Sequence, residues 1–129
     1  MKVAYVFSTS GHTASYKLGK MILPQIEEGT LGAEVSAMFF FDDNNYLLRK
    51  GDPLGERLAA VAAKKNILLL ACSQCSLERH LSEGACAGEH CCTLEKPEAV
   101  NCVAGVRCGC WADFFRKCEQ DGVDHIITL

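Results

Sequence analysis

Residues 66 to 77 read Asn66-Ile67-Leu68-Leu69-Leu70-Ala71-Cys72-Ser73-Gln74-Cys75-Ser76-Leu77, an apolar run followed directly by a Cys-x-x-Cys motif. The short apolar run is typical of a strand that is buried on both faces, and the residues after it follow helical spacing. A sulfur at the start of a helix lies near unpaired backbone N–H groups and the positive end of the helix dipole, which favour the thiolate over the thiol. We therefore predict that Cys72 is the reactive thiol and that Cys75 acts beside it.

The rest of the chain alternates apolar runs with stretches of helical periodicity. Strands are predicted at residues 2–7, 34–41, 66–71, 99–106 and 124–129, and helices at 14–28, 53–65 and 111–120. Strands separated by helices predict an α/β fold with three α/β/α layers, a mostly parallel sheet of about five strands and one domain over residues 1–129. Reactive groups in such sheets gather at the carboxyl ends of the strands, where Cys72 falls.

Composition and charge narrow the classes of function. The net charge of −3 gives no electrostatic case for nucleic acid, and no block of lysine and arginine indicates a membrane surface. No apolar stretch is long enough to span a bilayer, and the first residues do not form a secretory signal. We therefore expect a cytoplasmic protein that binds neither nucleic acid nor membranes.

The chain contains nine cysteines, all in its second half, at Cys72, Cys75, Cys86, Cys91, Cys92, Cys102, Cys108, Cys110 and Cys118. In a reducing cytosol, such an enrichment indicates thiol chemistry, a metal or cluster site, or buried cysteines that act as small apolar residues. The first alternative function is therefore a zinc or iron–sulfur binding module, in which Cys72 and Cys75 supply half of the ligands. The candidates for the other half are His90, Cys91, Cys92, Cys108 and Cys110.

A second alternative comes from the loop after the first predicted strand. Residues 8–13 read Ser8-Thr9-Ser10-Gly11-His12-Thr13 and resemble the phosphate loop of flavodoxins, where hydroxyl and backbone N–H groups hold the FMN phosphate. This loop predicts a flavodoxin-like electron carrier, or more simply a turn in which Ser10 or Thr13 caps the following helix. The acidic pair Asp42-Asp43 is interpreted as an ordinary turn.

Three segments carry a resemblance to one family in their order and spacing. They are Met38-Phe39-Phe40-Phe41-Asp42-Asp43 with Tyr46-Leu47-Leu48, the Cys-x-x-Cys stretch from Leu70 to Arg79, and residues 112–115 with 123–129. Together they resemble the DsrE/DsrF-like family of small sulfur-relay proteins. By position, Cys72 aligns with the cysteine that bears the persulfide in that family, and Cys75 with the extra thiol of its Cys-x-x-Cys members.

The resemblance implies a DsrE-like α/β/α domain that assembles as a trimer or hexamer and passes sulfane sulfur between partner proteins. The expected function is thus a cytoplasmic sulfur carrier that exchanges persulfide with donor and acceptor proteins. The chain departs from the family pattern at His80, where glycine is common. It also departs at residues 86–92 and at Cys108 and Cys110, since a carrier with a single cysteine has no role for these thiols.

Overall fold

The computed structural model describes residues 1–85 and 95–129 of the chain. The strands in chain order are β1 Lys2–Phe7, β2 Glu34–Phe40, β3 Leu68–Cys72, β4 Ser82–Glu83, β5 Glu98–Ala99, β6 Arg107–Gly109 and β7 His125–Thr128. Five of them form one sheet in the order β6-β3-β2-β1-β7, and every neighbouring pair in it is parallel. The predicted α/β class and parallel sheet are confirmed.

The helices lie at the predicted places, with differences at their ends. They are α1 Gly11–Lys17, α2 Leu23–Glu28, α3 Pro53–Lys65, α4 Ser73–Glu78 and α5 Trp111–Asp121. A π-helical turn at Leu18–Ile22 joins α1 to α2, so the single helix predicted over residues 14–28 starts earlier and is continuous through Pro24. Pro24 is tolerated because it lies in the first turn of α2, next to a turn that already departs from the regular hydrogen-bond ladder.

Two apolar layers cover the two faces of the sheet. Alternate residues of β1, such as Val3, Tyr5 and Phe7, pack with the helices α1 to α3. The residues between them, Ala4 and Val6, pack with the opposite layer under α5. This two-sided burial explains why the central strands read as continuous apolar runs, and it confirms the three-layer arrangement.

The strand predicted at residues 99–106 is wrong. The fourth sheet strand in the chain is β6, Arg107–Gly109, whereas Glu98–Ala99 pairs antiparallel with Ser82–Glu83 in a small separate sheet. Val103 is buried in the intervening loop, where its N–H group donates to the carbonyl of Leu48 at 2.8 Å. Apolar residues that are buried within this loop have the hydropathy pattern of a buried strand, which explains the wrong prediction.

A 3-10 helix at Asp42–Leu48 follows β2 and packs against the start of α3. Gly55 permits this approach, because a Cβ atom at that position would overlap the carbonyl oxygen of Leu47. The 3-10 helix thereby lies beside the carboxyl end of β3. Within residues 1–85 and 95–129, no helix has the length and apolar character needed to cross a membrane.

Candidate functional site

The two predicted thiols lie together at the carboxyl end of β3. Cys72 is the last residue of the strand and the N-cap of α4, and its sulfur accepts the N–H group of Cys75 at 3.3 Å. The first turn of α4 brings the Cys75 sulfur to 2.6 Å from the Cys72 sulfur. Either thiol can donate a hydrogen bond to the other, and little movement is needed to join them, because a disulfide spans about 2.05 Å.

Cys72 and Cys75 differ in their exposure to solvent. The Cys75 side chain is 7% exposed, whereas Cys72 is only partly buried. Both are thiols rather than disulfides, as are the other cysteines of residues 1–85 and 95–129. A reagent or partner from solvent therefore meets Cys72 first, with Cys75 behind it.

Hydrogen bonds lower the pKa of the Cys75 thiol to about 7 from its ordinary value of 9.0. The hydrogen bond with Cys72 is the largest cause, and burial opposes it by favouring the neutral thiol. The backbone N–H group of Asp42, 3.2 Å from the Cys75 sulfur, lowers the pKa further. Near neutral pH a large fraction of Cys75 is therefore in the thiolate form.

Asp42 is a site residue that the sequence interpretation as an ordinary turn missed. Its φ of 48° lies in the left-handed region, which turns its N–H group toward Cys75. The buried amide of Asn45 holds this conformation by donating to the carbonyls of Asp42 at 2.9 Å and Phe40 at 3.1 Å. The available signal was topological, since these residues follow β2, and β2 neighbours β3 at the edge where parallel strands end.

Arg79 supplies a positive charge beside the thiol pair. Its guanidinium donates to the Asp43 carboxylate at 2.8 and 3.0 Å and to the Cys75 carbonyl at 3.1 Å, and it lies over the Tyr46 ring. The charge of Arg79 also lowers the pKa of Cys75. His12, in the first turn of α1, lines a groove with Tyr16 and Leu54.

The helix start contributes less to the thiols than the sequence suggested. The helix α4 contains only six residues, so few peptide dipoles add along its axis. The described donors to the two sulfurs are individual N–H groups, one from Cys75 and one from Asp42. Local hydrogen bonds, rather than a long helix dipole, therefore favour the thiolate.

Cys108 and Cys110 lie on the neighbouring strand end and do not complete a metal site with the thiol pair. The Cys108 sulfur is 3.6 Å from the Ser76 hydroxyl, and Cys110 caps α5 with the Lys96 ammonium at 3.5 Å from its sulfur. Within residues 1–85 and 95–129, no group of three or more potential ligands could hold a metal ion. His90 and three cysteines (Cys86, Cys91 and Cys92) lie outside the described residues, so the zinc or iron–sulfur alternative stays a prediction.

The loop that resembles a flavodoxin phosphate loop is a capped turn. The N–H groups of Ser8 and Thr9 donate to the Leu129 carbonyl at 2.8 and 3.1 Å. The N–H group of Thr13 donates to the Ser10 hydroxyl, which is the N-cap of α1. These three N–H groups are therefore not available to a phosphate, which argues against the FMN alternative.

An exposed aromatic surface adjoins Cys72. We define it as Phe41, Trp111 and Phe115, whose rings contact each other through Trp111 at centroid distances of 5.2 and 5.6 Å. Trp111 is 44% and Phe115 50% exposed, whereas Phe114 beneath them is fully buried. Phe40 of β2 pairs with Ala71 of β3, so the next residues, Phe41 and Cys72, lie side by side and pack against the same buried layer.

Comparisons with known proteins identify the fold. No family model matches the chain, and no curated protein matches it. The YchN protein from E. coli has a similar structure, with a TM-score of 0.58, 16% identity, and coverage of 99% of this chain and 97% of that one. MTH1491 from Methanobacterium thermoautotrophicum, a protein of unknown function, gives a TM-score of 0.57 at 8% identity with the same coverage. At these identities the likeness establishes the architecture alone, and the chain shares the α/β fold of these two structures.

Proposed function

We propose that the protein is a sulfur carrier of the DsrE/DsrF-like kind, in which Cys72 holds a persulfide. The observation that supports this most strongly is the thiol pair at the end of β3. It combines an accessible Cys72 with a buried Cys75 whose pKa is lowered to about 7. A thiolate at neutral pH is the form that attacks sulfur, and the pair provides one without a metal ligand or a disulfide.

Sulfur loading is a thiolate exchange. The Cys72 thiol passes its proton to the neighbouring Cys75 thiolate, and the resulting Cys72 thiolate attacks the terminal sulfur of a donor persulfide. A new S–S bond forms to Cys72, and the donor leaves as a thiolate that takes up the proton from Cys75. An acceptor thiolate removes the same terminal sulfur by the reverse process. Neither step changes the total number of electrons, so no external oxidant or reductant is needed.

Cys75 gives the loaded carrier a second outcome. Its thiolate, next to Cys72, can attack the inner sulfur of the persulfide and form a Cys72–Cys75 disulfide. Hydrosulfide leaves with the terminal sulfur and the displaced electron pair. To deliver its sulfur, the carrier must transfer it to an acceptor at a higher rate than that of internal disulfide formation.

The donor and acceptor are proposed to be proteins that contact the aromatic surface beside Cys72. An accessible thiol next to exposed Trp111 and Phe115 suits a partner that buries apolar area while it brings its own thiol close. The trimer or hexamer implied by the resemblance is likewise part of this proposal. The proposed exchange at Cys72 requires only that a partner present a persulfide or a thiol.

Sulfide release from the loaded protein tests the proposal and separates the two thiols. Reduced protein is treated with glutathione persulfide without oxygen, and released sulfide is followed for the wild type, Cys72→Ser and Cys75→Ser. The wild type should release sulfide and gain a Cys72–Cys75 disulfide. Cys75→Ser should retain bound sulfur and release at least tenfold less sulfide, because no neighbouring thiolate can attack it.

Cys118→Ser serves as the matched control, because Cys118 is a buried cysteine on α5 that belongs to the apolar layer. It should behave as the wild type does. If Cys72→Ser takes up and releases sulfur as fast as the wild type, the assignment of Cys72 is wrong. If the wild type forms the disulfide but Cys75→Ser never holds bound sulfur, the pair is a dithiol redox site instead.

A further inference from the structure

The outer edge of β3 is only partly covered by its neighbour. β6 pairs with Leu70, Ala71 and Cys72, while Leu68 and Leu69 extend beyond the start of β6. On that side, no strand in the described part of the chain pairs with Leu68 or Leu69. Backbone groups on such an uncovered edge can pair with a strand from another chain.

A cavity of about 610 Å³ lies along this uncovered edge. One wall is formed by small residues of α3, namely Ala59, Ala62 and Ala63, and Leu68 and Leu69 also line it. The opposite wall is formed by α5, with Arg116, Lys117 and Gln120, and Arg107 lies at the start of β6. The volume is in the range of sites that bind ligands, and the small alanines leave room for the side chains of an occupant.

The cavity is positively charged, although the chain as a whole has a net charge of −3. Its charged lining residues are Arg107, Arg116, Lys117 and one carboxylate, Asp113. Asp113 is already bound by the Lys96 ammonium at 2.6 Å, and Lys117 is bound by Asp121 at 2.9 Å.

The two arginines are the cations with the most freedom to bind a ligand. The ion pair of Arg116 with Asp113 is long, at 3.4 Å, and the Arg116 side chain is 63% exposed. Arg107 is exposed and forms no ion pair with any residue that the structure describes. Both guanidiniums are therefore accessible to a carboxylate from another molecule.

We propose that this cavity binds an extended acidic peptide segment of a partner protein as an added strand beside Leu68 and Leu69. The peptide backbone pairs with the uncovered edge, and its carboxylates bind Arg107 and Arg116. The edge favours a peptide over a small anion, because a small anion uses the cations but leaves the strand edge uncovered. This mode of recognition combines backbone pairing for affinity with side-chain charge for specificity. It is independent of the sulfur chemistry at Cys72.

Selection from a library of random seven-residue peptides tests this inference. Peptides that bind the wild-type protein should be enriched in Asp and Glu at alternate positions, because alternate side chains of a strand point to the same side. A synthetic peptide of the enriched sequence should slow amide hydrogen exchange at Leu68 or Leu69. Arg107→Glu should weaken its binding at least tenfold, as measured by calorimetry.

Two alanines on α3 provide a matched pair of variants. Ala63 is exposed and lines the cavity, whereas Ala60 is exposed on the same helix and does not. Ala63→Glu should weaken peptide binding through repulsion and bulk, and Ala60→Glu should leave it unchanged. Both substitutions lie at exposed positions, so circular dichroism should show an intact fold.

Three outcomes would overturn the inference. The first is a selection that enriches no acidic peptides, and the second is equal binding by the wild type and Arg107→Glu. The third is that inorganic phosphate binds as tightly as the peptide, while amide hydrogen exchange at Leu68 and Leu69 stays unchanged. That last result would identify a small-anion site instead of a peptide site.

Discussion

Cys72 and Cys75 divide the requirements of a reactive thiol between them. Cys72 is accessible to partners, and Cys75 is buried among donors that stabilise its thiolate. Because the largest of these contributions is the hydrogen bond with Cys72, the lowered pKa of Cys75 depends on Cys72. The candidate site is therefore the pair of thiols rather than one cysteine.

The first prediction concerns the pKa of Cys75. Replacing Cys72 by Ala removes the main hydrogen bond to the Cys75 sulfur while burial persists, so the pKa should rise from about 7 toward that of an ordinary thiol. The rate of Cys75 alkylation by iodoacetamide, followed by peptide mass mapping across pH, measures this midpoint. Cys118→Ala should leave the midpoint in place; an unchanged midpoint in Cys72→Ala would contradict the account.

The second prediction is a pH dependence of stability. The folded pKa of Cys75, about 7, is below its ordinary 9.0, so the folded state favours the thiolate. The resulting stabilisation is fully present above pH 9.0 and is lost as the pH falls through about 7. Between these values the free energy of unfolding of the wild type should rise relative to Cys75→Ser by about 1–2 kcal/mol. Urea unfolding at several pH values measures the difference, and a flat difference would show that the shift is absent.

The third prediction concerns the charge beside the thiols. Arg79→Gln removes a positive charge near Cys75 and the ion pair with Asp43, so the alkylation midpoint of Cys75 should rise. The rise should be smaller than in Cys72→Ala, because Arg79 is a minor cause of the lowered pKa. Arg116→Gln is the matched control, since Arg116 has no described contact with the thiols. A larger effect from Arg116 than from Arg79 would contradict the geometry.

At the residue scale, the location of Cys72 and Cys75 at a strand end was predictable, and their environment was not. The apolar run before Cys72 locates the end of a strand, and the next turn of helix brings Cys75 back over it. The N–H donor from Asp42 depends on a left-handed backbone conformation held by the buried amide of Asn45. Residue type permits that conformation in an Asp but does not specify it.

Among the elements, the 3-10 helix Asp42–Leu48 connects packing to the site. It begins with the residue that donates to Cys75, and its other end contacts the start of α3 at Gly55. A change in how α3 packs should therefore reach the thiols through this helix. The strand predicted at residues 99–106 is an error in assigning an element, since hydropathy does not distinguish a buried loop from a buried strand.

The fourth prediction is the cost of a side chain at Gly55. Gly55→Ala should lower the free energy of unfolding by more than about 2 kcal/mol, because the new methyl group meets the Leu47 backbone, which cannot move aside cheaply. Urea unfolding measures the loss. Ala60→Gly on the exposed side of the same helix should cost about 1 kcal/mol or less, as expected for helix propensity alone. Equal costs would mean that the contact at Gly55 is not tight.

At the scale of the whole molecule, apolar side chains remain at the surface, and pairs of them lie on β7 and on α5. Ile126 and Ile127 are exposed on the edge strand β7, and Trp111 and Phe115 are exposed on α5. Exposed apolar groups of this kind are suited to contacts with other chains. The exposure of these side chains was not predictable from the sequence, because the same residues at the same spacing usually form the core.

The fifth prediction is the mass of the protein in solution. The resemblance implies three or six copies, so light scattering should give three or six times the chain mass of 14.0 kDa. The exposed residues of β7 would then be buried between copies, and Ile127→Lys should reduce the mass toward that of one chain. A wild-type protein that stays monomeric at high concentration would contradict the expected assembly.

Intact mass spectrometry detects the proposed persulfide on Cys72 as a gain of one sulfur atom. Reduced Cys75→Ser, which cannot form the internal disulfide, and the double variant Cys72→Ser/Cys75→Ser are treated with glutathione persulfide without oxygen and measured at once. Cys75→Ser should gain one sulfur atom, which reductant removes, and the double variant should gain none. The same gain in both proteins, or in neither, would contradict the assignment of the persulfide to Cys72.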